Sequence, residues 1–193
     1  TLQFLKQLEE PAEPQPPETP GETARSETRS FDNIEDAYEA VWRGAKAVVD
    51  RNKEAGLCTM TENVFPVMFH AFARAGMNAC PKFMKEGIDS VFAAIALGAA
   101  KQYGTEFWIA PDLWGKTGFP GHSPEELRCA LLYAYWIGAT KILVENIYAD
   151  FIEGEGMTST GLLDRLVDKD GKISYVPSKY GDVYRWFVTE YVP

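Results

Sequence analysis

The sequence predicts an α/β fold, part of a (β/α)8 barrel: about four β/α units plus a closing helix. Three observations predict it. From Phe31 onward, strand-like runs alternate with helical periodicity four times. A glycine (Gly56, Gly76, Gly104, Gly138) stands just before each strand, where a left-handed residue ends a helix. An acid closes every strand: Glu62, Glu86, Asp112 and Glu145. Strands separated by helices pair in parallel, and polar residues at every strand end, with no Gly-rich phosphate loop after any strand, favour a barrel over a doubly wound sheet.

The elements follow in order. Residues 1–30 interleave Pro11, Pro14, Pro16, Pro17 and Pro20 with Glu10, Glu13, Glu18, Glu22 and Glu27. Such a stretch buries too little apolar area to offset its ordering entropy, so it reads as linker or disordered segment, with the barrel units spanning 31–193. Asp32 and Glu35 have capping-box spacing ahead of Ile34, Tyr38, Val41, Trp42, Ala45, Val48 and Val49, which predicts a helix from Asp32 to Ala55. A strand is expected over Leu57–Glu62 and a helix over Val64–Ala75. A strand within Met77–Glu86, weakened by Pro81, precedes a helix over Ile88–Tyr103. Thr105–Asp112 is the most strand-like run. Ser123-Pro124-Glu125-Glu126 supplies a cap, a proline at the first helical position and a capping-box glutamate for a helix ending at Ile137. Thr140–Asn146 is the fourth strand, Asp170-Gly171 a tight turn, and Tyr180–Tyr191 the closing helix.

Composition narrows the function. The 193 residues are 46% hydrophobic, enough for one domain, yet shorter than the roughly 250 residues of a complete barrel. The rest of the barrel is therefore expected in the same or another chain, and Thr1-Leu2-Gln3-Phe4-Leu5 reads as an internal start. A net charge of -9 without any Lys/Arg run gives no reason to expect a nucleic-acid partner, and no apolar stretch approaches the ~20 residues of a membrane span. Cys58, Cys80 and Cys129 lack Cys-x-x-Cys spacing and read as small buried hydrophobes. Two histidines without His-x-x-x-His spacing give no zinc pattern, and no cofactor is expected.

The candidate chemistry sits at the strand ends. Side chains alternate along a strand, so Glu62 shares a face with Cys58 and Met60, Asp112 with Trp108 and Ala110, and Glu145 with Leu143. In a parallel barrel those acids point together into the mouth, where crowding and burial push carboxyl pKa values apart, as general acid–base work requires. Glu86, before Gly87-Ile88, fits a helix start equally well. Tyr103, Trp108, Trp114, Phe119, His122 and Tyr148 surround this face, with Asn146 beside Glu145. Aromatic rings there can stack on sugar rings, although Trp108 also fits a core position. Trp114 lies in a long loop after a strand, a common place for binding residues. His70, within a helix, reads as structural.

The runs Ala99-Ala100-Lys101-Gln102-Tyr103-Gly104-Thr105-Glu106-Phe107-Trp108 and Gly138-Ala139-Thr140-Lys141-Ile142-Leu143-Val144-Glu145-Asn146 resemble the later half of TIM-barrel glycoside hydrolases. The Lys179-Tyr180-Gly181 opening of the last helix is similar to the finish of such barrels. The resemblance implies hydrolysis of a glycosidic bond in a carbohydrate substrate by two carboxylates, Glu145 with Glu62 or Asp112, and Trp114, Trp108, His122, Glu86, Asn146 and Tyr148 as substrate contacts. The order Glu-Asn at Glu62-Asn63 and Glu145-Asn146 departs from the Asn-Glu of the large retaining clan, so roles are not carried over by motif. A non-catalytic carbohydrate-binding barrel, or a metal-assisted lyase or aldolase with Lys82 or Lys85 as base or Schiff-base former, are the alternatives.

Overall fold

The computed structural model describes residues 30–83, 88–113, 121–147, 151–152, 157–158 and 161–192. All but the last residue of the expected Pro/Glu-rich linker, together with Glu86, Trp114, Phe119, Tyr148 and Lys85, lie outside the described residues.

Four helix–strand repeats run in sequence: α1 (Ile34–Glu54), β1 (Met60–Asn63), α2 (Phe69–Ala75), β2 (Asn78–Phe83), α3 (Ser90–Tyr103), β3 (Trp108–Pro111), α4 (Pro124–Trp136) and β4 (Lys141–Ile142). The strands form one parallel sheet in the order β1-β2-β3-β4. A doubly wound sheet reverses its order at a switch point, and this one does not. With right-handed crossovers, sequential order sends every connecting helix to the same face. The result is a partial (β/α) barrel.

Alternation then sorts the strand residues between two surroundings. Ala79, Phe83, Phe107, Ile109, Leu113 and Val144 face the helices and pack with Phe69, Phe92, Ala96, Leu127 and Leu131 in the main core. Each fully buried leucine or phenylalanine there is worth about 1.5–3 kcal/mol. Residues of the other parity, Glu62, Cys80, Lys82, Ala110, Asp112 and Glu145, belong to the inner face.

Local chemistry explains the element boundaries. Gly56, Gly76, Gly104 and Gly138 all have positive φ, from 68° to 101°, as a glycine at a helix end permits. Ser123 and Glu126 form the expected reciprocal capping box on α4. Two expectations shift. The cap of α1 is Asn33, not Asp32: its Oδ1 accepts from Asp36 N at 2.8 Å while its amide donates back to Asp36. The helix expected over Val64–Ala75 begins as a 3₁₀ turn, Pro66–Met68, because Pro66 supplies no N–H and sets φ for a tight start.

Beyond β4 come two antiparallel hairpins, β5 (Phe151–Ile152) with β6 (Met157–Thr158) and β7 (Leu163–Val167) with β8 (Ile173–Pro177), the second turning at Gly171. The closing helix is α5 (Lys179–Trp186), continued by a π-helical turn over Phe187–Tyr191. It packs on α4 through the ring contacts of Tyr135 with Phe187 and Tyr191, and Trp136 Nε1 donates to the Tyr191 hydroxyl at 2.7 Å.

Candidate functional site

Register brings the strand-end groups together. Glu62 on β1 lies beside Cys80 on β2, and Lys82 beside Ala110 on β3. Asp112 N donates to Phe83 O at 2.8 Å. Leu143 N and Glu145 N donate to Ile109 O at 2.9 Å and Pro111 O at 3.3 Å. The ladder between the third and fourth strands thus continues past the short β4, and delivers Glu145 to the level of Asp112.

At that level Lys82 is the hub. Its Nζ lies 2.7 Å from Glu145 Oε2, 3.1 Å from Asp112 Oδ2 and 3.9 Å from Glu62 Oε1. Three acids from three strand ends therefore meet one ammonium from the strand between β1 and β3. Side-chain exposure grades across the cluster: Asp112 1%, Lys82 18%, Glu62 27% and Glu145 38%.

The electrostatics are unequal. Burial pushes the Glu62 carboxyl above the ordinary carboxylate range, and the charges of Glu145 and, to a smaller extent, Asp112 add to that push; Lys82 opposes it but does not win. Burial alone would lower the Lys82 ammonium, yet hydrogen bonds to Glu145 and Asp112 raise it above its ordinary value. Lys82 is therefore a firmly held cation. The Cys80 thiol beside them is pushed up to about 12 by burial and by Glu62, and stays neutral.

A cavity of about 460 Å³ reaches Lys82 from the loop side. Its walls include Val64 and Pro66 after β1 and Ile88, Val91 and Ile95 at the start of α3. Asp89 also lines it, but one of its carboxylate oxygens caps α3 by accepting from Val91 N and Phe92 N.

The other expected contacts are placed separately. Trp108 lies near the opposite end of the strands, where its Nε1 donates to Glu106 at 2.6 Å and Lys141 Nζ sits 4.6 Å from its ring centre. Tyr103 ends α3 at that same end, edge-on to His70 of α2. It does not belong to the mouth, because the last turn of α3 leads into the start of a strand. His122 has its Nδ1 3.7 Å from Glu126, and its carbonyl accepts from the Tyr180 hydroxyl. The Asn146 carbonyl accepts from Leu162 N at 3.2 Å. Cys80 is buried as expected, whereas Cys58 and Cys129 are exposed, since they fall before β1 and on the outer side of α4.

From the sequence, Lys82 is expected only as a base or Schiff-base former. Its parity with Cys80 along one strand was the available signal for a place on the inner face.

Among the described residues no group of three His, Cys, Asp or Glu side chains is arranged to hold a metal ion. No described helix is long and apolar enough to cross a membrane. The architecture resembles a partial α/β enzyme scaffold. The chain matches no known protein family, no curated protein and no solved structure.

Proposed function

We propose that the protein hydrolyses glycosidic bonds with a pair of carboxylates at the barrel mouth, Glu62 and Glu145, and that residues 31–193 are the barrel units that carry the pair. One observation carries this reading: acids from separate strand ends lie within 4 Å of a single nitrogen, in unequal surroundings. A pair with one carboxyl raised and another held beside an ammonium is what proton donation plus nucleophilic or base assistance needs. The cavity that reaches Lys82 leaves room for a ligand group beside its side chain. A Schiff-base mechanism asks for a lysine whose amine is readily deprotonated, and Lys82 is shifted the other way.

The test is Glu145→Gln, assayed on 4-nitrophenyl hexosides of both anomers. Removing a catalytic carboxylate typically costs at least about 10²–10⁴-fold in rate, while an isosteric amide leaves substrate binding nearly unchanged. Normal turnover by the Gln variant would make Glu145 structural. Absence of any turnover in the wild-type protein across glycosides would sink the reading.

A further inference from the structure

We propose that Lys82 is the positioning residue of this site: its ammonium holds Glu145 in place as the nucleophile and stands off Glu62, leaving Glu62 as the proton donor. The inference rests on the glycosidase reading and deepens it, because two carboxylates alone do not say which performs which role.

Geometry makes the assignment. The Lys82 nitrogen is within hydrogen-bond distance of Glu145 and Asp112 but 3.9 Å from Glu62, whose Oε1 is buried and accepts no hydrogen bond. An ammonium in contact favours the ionised form of a carboxyl; one beyond contact in a buried setting favours it far less. Among the described residues the groups packed on Glu62 divide: Glu145 and Asp112 repel a second negative charge, Cys80 is a neutral thiol, and Lys82 attracts one but is outweighed by burial and that repulsion. Asp112, 1% exposed, is the anchor that keeps the Lys82 stem in place while Glu145 works.

Separation of the two acids follows from the same nitrogen. Oxygens 3.9 and 2.7 Å from one atom are no farther apart than those distances laid end to end. That limit only just touches the roughly 6.5 Å at which inverting pairs begin, and comfortably includes the ~5 Å of retaining pairs. The step is then a double displacement. Protonated Glu62 gives its proton to the glycosidic oxygen as the bond from that oxygen to the anomeric carbon breaks, and a Glu145 oxygen bonds that carbon. Water next attacks the carbon, Glu62 takes the water's proton, and Glu145 leaves as carboxylate. The product keeps the anomeric configuration of the substrate.

The experiment compares wild type, Lys82→Met and Lys82→Arg on 4-nitrophenyl hexosides across pH 4–9, with product anomers read by NMR. Lys82→Met should lower kcat about 10²-fold, the scale of a misplaced reacting group, with a smaller change in KM. Its alkaline limb, which reports the proton donor, should move up in pH, because the one neighbour that lowers the Glu62 pKa is gone. Lys82→Arg should recover at least tenfold of the lost rate and return the limb. An unchanged kcat and an unmoved limb in Lys82→Met, with Glu145→Gln inactive, would overturn the Lys82 assignment and leave the glycosidase reading standing. Inverted product would overturn the role split in the same way. If the wild type cleaves no hexoside, the glycosidase reading fails by itself. Carboxyl NMR titration of Glu62 then still decides the placement of Lys82, which is wrong if the Glu62 midpoint does not rise in Lys82→Met. Should Lys82→Met not fold, Lys82→Gln removes the charge while keeping a hydrogen-bond donor, and is read identically.

Discussion

Removing the Lys82 charge should destabilise the fold in a pH-dependent way, and the size follows from the distances. With an effective dielectric of about 20, unit charges 2.7 and 3.1 Å apart, the spacings of Lys82 from Glu145 and Asp112, attract by about 6 and 5 kcal/mol. These gross values are mostly cancelled by desolvation, and Glu145, the most exposed partner, contributes least after solvent screening. Breaking a buried pair by removing one partner typically costs about 3–5 kcal/mol, because the remaining charge stays buried. Asp112 is such a partner, so Lys82→Met should cost about 3 kcal/mol at pH 7. At an m-value of about 2 kcal/mol per molar, that lowers the urea midpoint by about 1.5 M, followed by tryptophan fluorescence. At pH 4 Glu62 is largely protonated, its repulsion with the neighbouring acids fades and the penalty should be smaller than at pH 7. The decline should start above the ordinary carboxylate range, since the Glu62 pKa is raised. Adding Asp112→Asn to Lys82→Met should restore part of the loss. A midpoint shift under about 0.3 M at pH 7, or an equal shift at both pH values, would refute the charge-cluster account.

Two further outcomes test separate parts of the structure. Glu62 has a folded pKa above its unfolded one, so its stabilising contribution is full below the unfolded pKa and is lost as pH rises through the folded pKa. Glu62→Gln should therefore raise the melting temperature at pH 7 and give no gain near pH 3; a lower melting temperature at pH 7 would contradict the burial argument. Gly181 sits in the first turn of α5, where a Cβ would lie 2.1 Å from the Leu162 carbonyl oxygen. Gly181→Ala should cost about 1–3 kcal/mol by overpacking, read in the same urea titration, and a neutral result would mean that the helix start shifts freely.

What the sequence made legible was local. Gly56, Gly76, Gly104 and Gly138, the Ser123–Glu126 box and the Asp170-Gly171 turn each act within a few residues, so their chemistry is written beside them. The alternation that puts Glu62, Asp112 and Glu145 on one face is equally local. The hub was not legible, because Lys82 meets its acids only through the Lys82–Ala110 register and the Glu145–Pro111 hydrogen bond, both long-range. Pro81 next to it also weakened the strand signal, yet β2 runs through Pro81 and resumes its ladder at Lys82 and Phe83. The second hairpin was seen only at its turn: Ile173–Pro177 is exposed along its whole length, so no one-sided apolar alternation marks it as a strand.

The sequential order of the four strands gives the charge cluster a second consequence, as an error check on assembly. Each strand, or the stretch just past its end, contributes one charged residue to the cluster, and Phe83, Leu113 and Val144, the sequence neighbours of Lys82, Asp112 and Glu145, belong to the helix-facing core. A slip of one residue in β2 would turn Lys82 toward Phe69 and Phe92 and bring Phe83 to the acids. The misplaced ammonium would lose all three partners at once and enter an apolar layer, while the acids would keep their mutual repulsion. A slipped sheet of purely apolar strands would lose only shape complementarity. Here the penalty for misaligning β2 is electrostatic, and it adds to the loss of shape.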